Sequence, residues 1–384
     1  MLLLRLTALY GVLAHGLVHP GLLHTADDIT RIQGFVNDGT EPWLTGWNKL
    51  EARANADYSP NPVETVYRGT GSPENYANLF RDAAAAYANA VHWSISGDET
   101  RAQAAIAILD GWSSTLKAID GSSDKYLASG LYGYQLANAG ELMRDYEGWT
   151  GLPALVDMLV AVFYPMNRRF FLEHNDAAVD HYWANWDLCN ICTMHAVGVL
   201  SDNQTMVDEA ITYFKTGEGN GAIEKAIWTT YEEEDTGKIL GQIQEAGRDQ
   251  GHTMLDIALL GILAQQSYNQ GDDLFAYLDN RILAGAEYAA KYNLGNDVPY
   301  TTYVNSDVTQ DVISDASRGN IRPAWELIYN HYGVLKGLDA SWSQQYRDLV
   351  VDNGGGAEGG GGDYGTGSGG YDQLGFGTLL YRLE

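Results

Sequence analysis

The sequence predicts an all-α protein, an α/α toroid of inner and outer helices that forms a single domain. Apolar residues recur at helical spacing along most of the 384 residues, while strand-like alternation is nearly absent. Amphipathic stretches alternate with nearly all-apolar stretches, and Gly, Asn and Asp are frequent between them. A ring of buried helices inside a ring of two-faced helices produces this alternation.

Helical periodicity defines the predicted helices in chain order. They cover residues 76–96, 101–119, 134–146, 155–172, 187–200, 206–217, 253–268, 273–292 and 322–335. Aromatic, polar loops precede apolar helices with polar first turns within 126–138, 174–188, 231–255 and 292–325. Because inner helices of a toroid begin on one rim, their N-terminal dipoles and free N–H groups would converge there. The sequence therefore predicts an anion-binding cleft on that rim.

Composition limits the classes of partner. The formal net charge of −27 argues against nucleic acid or an anionic membrane as a partner. The 25 Tyr and 10 Trp residues suit stacking on sugar rings, although aromatic residues also fill cores. No P-loop, dinucleotide-binding fingerprint, HExxH or EF-hand loop occurs in the sequence. Neither a cofactor nor a metal ion is expected.

Both ends of the chain have distinctive composition. Residues 1–18 are apolar with one early Arg, which is typical of a secretory signal peptide, although an ordinary N-terminal helix is the alternative. We therefore expect a secreted protein whose domain spans residues 19–384. The Gly-rich stretch 353–370 is expected to belong to a terminal flap that closes the toroid.

The densest group of polar residues is IQEAGRDQGHT, residues 243–253. Arg248 and His252 are four apart, so a helix would place a guanidinium and an imidazole on one face. Glu245 precedes Arg248 by one turn and can pair with it. The alternative is a structural ion pair beside a core histidine. We interpret the density of polar groups as a site for an anionic substrate.

A second group lies in HYWANWDLCN, residues 181–190. Asn185 could donate its amide to a substrate carboxyl, and His181 and Trp183 lie in a loop, where binding residues concentrate. Helix capping by Asn185 or Asp187 is an equally good explanation of this spacing.

Tyrosines in the stretch that follows residue 291 form a third group. Tyr292, Tyr300 and Tyr303 are expected on the same rim, by the alternation of inner and outer helices. One of them is predicted to take part in catalysis, and the spacing does not decide which.

A fourth group contains arginines. Arg318 and Arg322 are four apart at a helix start and could bind carboxylates along a polymer, or pair with surface acids. Gln135 and Asn138 are expected to contribute to the same cleft.

Several of these stretches together resemble the alginate-lyase-like polysaccharide lyases with an α/α toroid fold. The stretches are HPGLLHTADDITRI, NWDLCNICTMHAVGV, QEAGRDQGHTMLDIALLG, EYAAKYNLG and YDQLGFGTLLY. The resemblance runs from about residue 19 to the C-terminus and implies β-elimination of 4-linked uronic-acid polymers, alginate or glucuronan. In better-known relatives the neutralising Asn is followed directly by the catalytic His, whereas here Asn185 is followed by Trp186.

The resemblance assigns roles to the predicted groups. Asn185 and Arg248 would neutralise the uronate carboxylate, His252 or His181 would be the base, and Tyr300 or Tyr303 the acid. Two other functions stay open. One is a toroidal glycoside hydrolase that uses carboxylates such as Glu245 and Asp187. The other is a non-catalytic carbohydrate-binding protein. The identity of the uronate, endo or exo action and the oligomeric state are not determined by the sequence.

Overall fold

The computed structural model describes residues 16–70 and 74–384. Most of the predicted signal peptide, residues 1–15, lies outside these ranges. The backbone N–H of Val18 donates to Oε1 of Gln270 at 2.9 Å, so the described chain is attached to the body from this point. Within the described ranges, no helix combines the length and the apolar character that a membrane crossing requires.

Helices make up most of the structure. They are α1 (Ala26–Asn37), α2 (Trp43–Arg53), α3 (Tyr76–Ser96), α4 (Glu99–Thr115), α5 (Lys125–Met143), α6 (Leu152–Met158), α7 (Tyr164–Glu173), α8 (Ala184–Leu200), α9 (Gln204–Thr216), α10 (Ile223–Ala226), α11 (Gln250–Asn269), α12 (Tyr277–Asn293), α13 (Trp325–Tyr329), α14 (Ser341–Asn353) and α15 (Gly377–Leu380). Two π-helical segments, Leu159–Phe163 and Asn330–Leu335, continue α6 and α13.

An inner ring of helices forms the centre of the molecule and confirms the predicted toroid. The inner helices are α3, α5, α8, α11 and α13, and each packs on the next. All described residues of α8 are buried, whereas the outer helices α4, α7, α9, α12 and α14 also have exposed faces. Glycines allow α5 and α8 to approach closely. A Cβ on Gly130 would lie 2.3 Å from Sγ of Cys189, and one on Gly133 would lie 2.4 Å from Cγ2 of Thr193.

Three short strand pairs lie beside the helices and were not predicted. The strands are β1 (Thr65–Arg68), β2 (Ala118–Gly121), β3 (Ile227–Glu232), β4 (Ile239–Ile243), β5 (Tyr303–Val304) and β6 (Thr309–Gln310). β1 pairs with β2 in parallel, and the other two pairs, β3 with β4 and β5 with β6, are antiparallel. β4 leads directly into Gln244, and β5 contains Tyr303, so these strands position residues of the rim.

The first and last described helices meet at a seam in the ring. Arg31 of α1 donates to the carbonyls of Leu380 and Arg382 at 3.0 and 2.8 Å. The indole of Trp43 donates to the same Arg382 carbonyl at 3.1 Å. The guanidinium of Arg382 in turn pairs with the buried Glu326 of α13 at 2.7 Å. The C-terminal segment therefore joins α1 and α2 to the inner ring.

Candidate active site

The candidate site lies where α8 and α11 begin. Trp183 is the N-cap of α8, Asp249 is the N-cap of α11, and Gln244–Gly247 forms one 3-10 turn between β4 and α11. Helix N-termini carry partial positive charge and free N–H groups, which favour anions. Side chains of the rim itself already bind several of these N–H groups: Gln244 and Glu245 accept from Ala184 and Asn185 of α8, and Asp249 accepts from His252 of α11.

A buried carboxylate, that of Glu245, joins two predicted site residues. Its Oε1 accepts from the backbone N–H and from the side-chain amide of Asn185, at 3.0 and 2.6 Å. Its Oε2 lies 2.7 Å from Nη1 of Arg248. Glu245 is 0% exposed, whereas the Arg248 side chain is 27% exposed. The amide and the guanidinium are thus held together from below, with part of the guanidinium at the surface.

An aromatic ring and a second carboxyl complete the surroundings of this pair. The guanidinium carbon of Arg248 lies 4.9 Å from the ring centre of Trp183. Beneath, burial raises the pKa of the Asp256 carboxyl well above its ordinary value, and the charge of Glu245 raises it further. Burial therefore favours the uncharged form of Asp256, which lies next to the Glu245 carboxylate that pairs with Arg248.

His252 has a carboxylate partner of its own. Nδ1 of His252 lies 2.6 Å from Oδ2 of Asp249, whose Oδ1 accepts the backbone N–H of His252 at 2.9 Å. Nε2 bonds to no residue in the part of the chain that the structure describes, and the side chain is 37% exposed. Burial raises the pKa of Asp249, but the bonds from His252 outweigh this and lower it to about 2. The imidazole is thus oriented by an ionised carboxylate and reaches solvent.

Of the three predicted tyrosines, Tyr303 lies beside this network. Oη of Tyr303 accepts from Nε2 of Gln244 at 2.9 Å, and Oε1 of Gln244 accepts the backbone N–H of Ala184 at 3.0 Å. Gln244 therefore connects Tyr303 to the first residue of α8. Burial raises the pKa of Tyr303, so the phenol is protonated at neutral pH. Its own proton has no acceptor among residues 16–70 and 74–384.

Tyr300 is nearby, but its hydroxyl is already used. It donates to the carbonyl of Gln310 at 3.0 Å. Burial raises the pKa of Tyr300 to about 12. A Cβ on Gly247 would lie 2.3 Å from this hydroxyl, so glycine at the residue before Arg248 makes room for Tyr300.

The His181 loop lies at the outer edge of the rim. His181 is exposed and its Nδ1 contacts Asp307. The neighbouring Asp180 accepts from the side-chain amide of Asn305 at 2.9 Å and from the backbone of Ser306 at 3.0 Å. These bonds join the loop before α8 to the loop after β5. His181 therefore borders the site without contacting Asn185 or Arg248.

Gln135 and Asn138 do not line a cleft, which corrects the sequence-based expectation. They are 0% and 2% exposed. Nε2 of Gln135 donates to the carbonyl of Tyr371 at 2.8 Å, and Oδ1 of Asn138 accepts the N–H of Leu23 at 3.0 Å. Both lie on α5, every face of which is covered, so their amides hold neighbouring segments in place.

The two predicted arginines bind carbonyls of the protein itself. Arg318 stacks on the ring of the buried Tyr292, 3.8 Å from its centre, and donates to the Tyr292 and Asn296 carbonyls at 2.7 and 2.9 Å. Arg322 donates to the Gly251 carbonyl at 3.0 Å and pairs with Asp372 at 3.2 Å. Arg318 thus closes the end of α12, and Arg322 ties the C-terminal segment to the start of α11.

Three members of the network, Gln244, Asp249 and Asp256, were given no role from the sequence, although Asp249 lies within the polar group at residues 243–253 that the sequence singled out. The spacing of Asp249, three residues before His252, is that of an N-cap and its acceptor, so the sequence contained a signal for it. Gln244 and Asp256 had none, because their roles depend on partners that are distant in the chain or hidden in the core.

Comparison with known proteins gives a structural match only. No protein-family model and no curated protein matches the sequence. An alginate lyase from Bacteroides ovatus superposes with a TM-score of 0.57 at 13% identity, covering 96% of this chain and 100% of that one. A histidine-to-alanine variant of alginate lyase A1-III, complexed with a tetrasaccharide, gives 0.57 at 14% identity over 93% and 94% of the two chains. The chain therefore has an alginate-lyase-like fold.

Proposed function

We propose that the protein is a polysaccharide lyase that cleaves a 4-linked uronic-acid polymer by β-elimination and leaves 4,5-unsaturated uronate ends. The observation that carries the proposal is one continuous set of contacts. Asn185 and Arg248 share Glu245, Arg248 adjoins Asp249, and Asp249 holds His252. The fold shared with alginate lyases supports the same class of reaction.

The reaction first requires neutralisation of the uronate carboxylate. The C5 proton is weakly acidic while that carboxylate keeps its charge, because the carbanion would add a second negative charge beside it. Arg248 supplies a partly exposed guanidinium that is stacked on Trp183. Asn185 is 2% exposed and lies behind the guanidinium, with a second amide hydrogen besides the one bound to Glu245. Together they can bind the carboxylate and stabilise the enolate that develops from it.

Two proton transfers complete the elimination. His252 accepts the C5 proton through Nε2, the C–H electron pair forms the C4=C5 double bond, and the C4–O4 bond breaks. Tyr303 gives its proton to the departing O4. Tyr303 fits the acid better than Tyr300, because the Tyr300 proton is engaged by the Gln310 carbonyl. In a syn elimination Tyr303 would serve as both base and acid.

We propose a class of substrate, the 4-linked uronic-acid polymers, and not one particular polymer. Alginate and glucuronan both present a carboxylate on every 4-linked residue, which suits a site built around Arg248 inside an acidic protein. One structural neighbour is described as complexed with a tetrasaccharide. Polysaccharide substrates are encountered outside the cell. We therefore include secretion in the proposal, with residues 1–18 as the signal peptide.

To test the proposal, the protein is incubated with mannuronate-rich, guluronate-rich and glucuronate polymers. The ultraviolet absorbance of the unsaturated product measures cleavage. We expect absorbance to rise with at least one polymer, and His252→Ala to lower turnover by about 10²–10⁴-fold. Tyr303→Phe should abolish turnover, whereas the matched Tyr300→Phe should retain most of it. Product chains without unsaturated ends would contradict the lyase, and polymer binding without turnover would indicate a binding protein.

The glycoside hydrolase alternative has less support. Its two carboxylates would be Glu245 and Asp187, which are 0% and 2% exposed. Glu245 is occupied by Asn185 and Arg248, and Asp187 accepts the backbone N–H of Gly221 at 2.9 Å. Both carboxylates are therefore buried and bound to groups of the protein, whereas a hydrolase needs two carboxyl groups that flank the glycosidic bond.

A further inference from the structure

Asp249 makes two bonds to one residue, and they have different functions. Oδ1 accepts the backbone N–H of His252, which is the usual bond of an N-cap. Oδ2 lies 2.6 Å from Nδ1 of the same histidine. The Asp249 side chain is 22% exposed, and Nε of Arg248 lies 3.8 Å from Oδ2. Both oxygens are thus committed to His252, and a fixed positive charge lies next to one of them.

The second bond determines where the imidazole proton is. An ionised carboxylate can only accept hydrogen bonds, so the atom that faces it must carry a hydrogen. The hydrogen bonds from His252, against the opposing effect of burial, lower the pKa of Asp249 to about 2, so the carboxylate is ionised at neutral pH. When the ring is neutral, Nδ1 is therefore the nitrogen that carries the hydrogen, and the lone pair lies on Nε2.

We propose that Asp249 is a positioning residue that sets the tautomer and orientation of His252, so that Nε2 is the atom that receives the C5 proton. This inference rests on the proposed lyase function. When the proton moves from C5 to Nε2, the imidazole becomes a cation next to the Asp249 carboxylate, which stabilises it. The same carboxylate caps α11, so the base is aligned by the element that begins the helix.

The tautomer can be measured without any substrate. Nitrogen-15 NMR of the histidine side chains at neutral pH, with the His252 signals assigned by their loss in His252→Gln, distinguishes the three states of the ring. We expect a protonated Nδ1 and a bare Nε2. A protonated Nε2, or an imidazolium at neutral pH, would overturn the inference whatever the activity. If NMR shows the expected tautomer but the protein cleaves no uronate polymer, the lyase assignment is overturned. The assignment of the His252 tautomer is then still supported.

The matched variant is Asp249→Asn. Asn caps helices as well as Asp does, so α11 should still form. Its carbonyl would take the backbone bond and its NH2 would face Nδ1, which must then accept, so the ring proton moves to Nε2. We expect kcat to fall by about 10²–10⁴-fold with little change in KM, and NMR to show the reversed tautomer.

A second variant separates positioning from folding. Asp249→Ser keeps a capping hydroxyl but leaves Nδ1 without a carboxylate. We expect its kcat to lie between that of the wild type and that of Asp249→Asn, because both tautomers are then populated. Wild-type kcat in Asp249→Asn, with the Tm unchanged, would overturn the inference. Equal losses in both variants together with a lower Tm would also overturn it, since capping alone would then explain them.

Discussion

The side-chain amide of Asn185 donates to Oε1 of Glu245 at 2.6 Å, while Oε2 of the same carboxylate binds Arg248 at 2.7 Å. One buried acid thus aligns an amide from α8 with a guanidinium from the segment before α11. Because Glu245 lies beneath the surface, it orients both donors without competing for the outer side of the guanidinium. The two groups that we propose to bind the uronate carboxylate are therefore held in place by the protein itself.

Glu245→Gln should impair both stability and activity. The substituted amide has one oxygen where the two carboxylate oxygens accept from three N–H groups, and Arg248 loses its counter-charge in a site where Glu245 is fully buried. We expect the free energy of unfolding to fall by about 3 kcal/mol and kcat/KM to fall by about 10²-fold. Denaturant unfolding and steady-state kinetics measure the two effects. Asp256→Asn is the matched control and should be nearly neutral, because burial raises the pKa of Asp256 and favours its uncharged form.

Gly247→Ala should push Tyr300 away from the turn before Arg248. The new Cβ would lie 2.3 Å from the Tyr300 hydroxyl oxygen and 2.7 Å from Cβ of Gln310. We expect a loss of about 1–3 kcal/mol in the free energy of unfolding and a raised KM. Adding Tyr300→Phe removes the hydroxyl oxygen, which is the closest atom. The double variant should therefore lose less free energy of unfolding than the two single variants lose in sum. Strict additivity in a double-mutant cycle would refute this contact.

Asp187→Asn should stabilise the protein at alkaline pH and change little at acidic pH. Burial raises the pKa of Asp187 from its ordinary 3.8 to about 7. Between these values the folded protein holds a proton that the unfolded chain releases, so stability falls as pH rises from about 4 to about 7. Asn keeps an acceptor for the Gly221 N–H without this cost. We expect a gain of about 4 kcal/mol at about pH 8 and almost none at about pH 4. Equal effects at both pH values would exclude an ionised Asp187 as the cause.

Arg322→Ala should loosen the C-terminal segment. The guanidinium, 11% exposed, pairs with Asp372 and binds the Gly251 carbonyl, so its removal leaves a buried carboxylate unpaired. We expect a loss of about 3 kcal/mol in stability and faster proteolysis between residues 360 and 373. Arg318→Ala is the comparison. Its exposed guanidinium binds two carbonyls, so we expect a loss of about 1 kcal/mol and, if it also binds polymer, a raised KM. A pure turnover defect in Arg318→Ala would contradict a binding role.

The inner ring was predictable because buried helices leave a strong periodic signal. Residues 76–96 and 187–200 lie within or coincide with α3 and α8. Boundaries were predicted less well. α5 begins at Lys125 rather than at residue 134, because Gly130 and Gly133 lower helix propensity in isolation but are required where α8 packs closely. The strand pairs escaped prediction because each strand is short and its pairing depends on residues far along the chain.

The candidate site was predictable only where its members share one segment. Glu245, Arg248 and His252 lie within eight residues, so the sequence indicated them as a group. The single helix expected to hold Arg248 and His252 on one face does not form, because Gln244–Gly247 is a 3-10 turn and α11 begins at Gln250. Asn185 joins them through a partner 60 residues away, and the sequence left open whether it capped α8 or faced a ligand. Gln135 and Asn138 were assigned to the cleft because they are polar, but α5 is enclosed on every side. Polarity alone does not distinguish a buried structural amide from a binding group.

The seam between α1 and the C-terminal segment implies an order of folding during synthesis. Arg31 binds the carbonyl of Arg382, a contact between residues 351 positions apart. Contacts of such long range form slowly and only after both partners have emerged from the ribosome. The helices between them can pair with their neighbours as they appear. Until residue 382 is free, the nascent chain would be an open arc with an uncovered apolar edge, which is the species most exposed to aggregation and to chaperones.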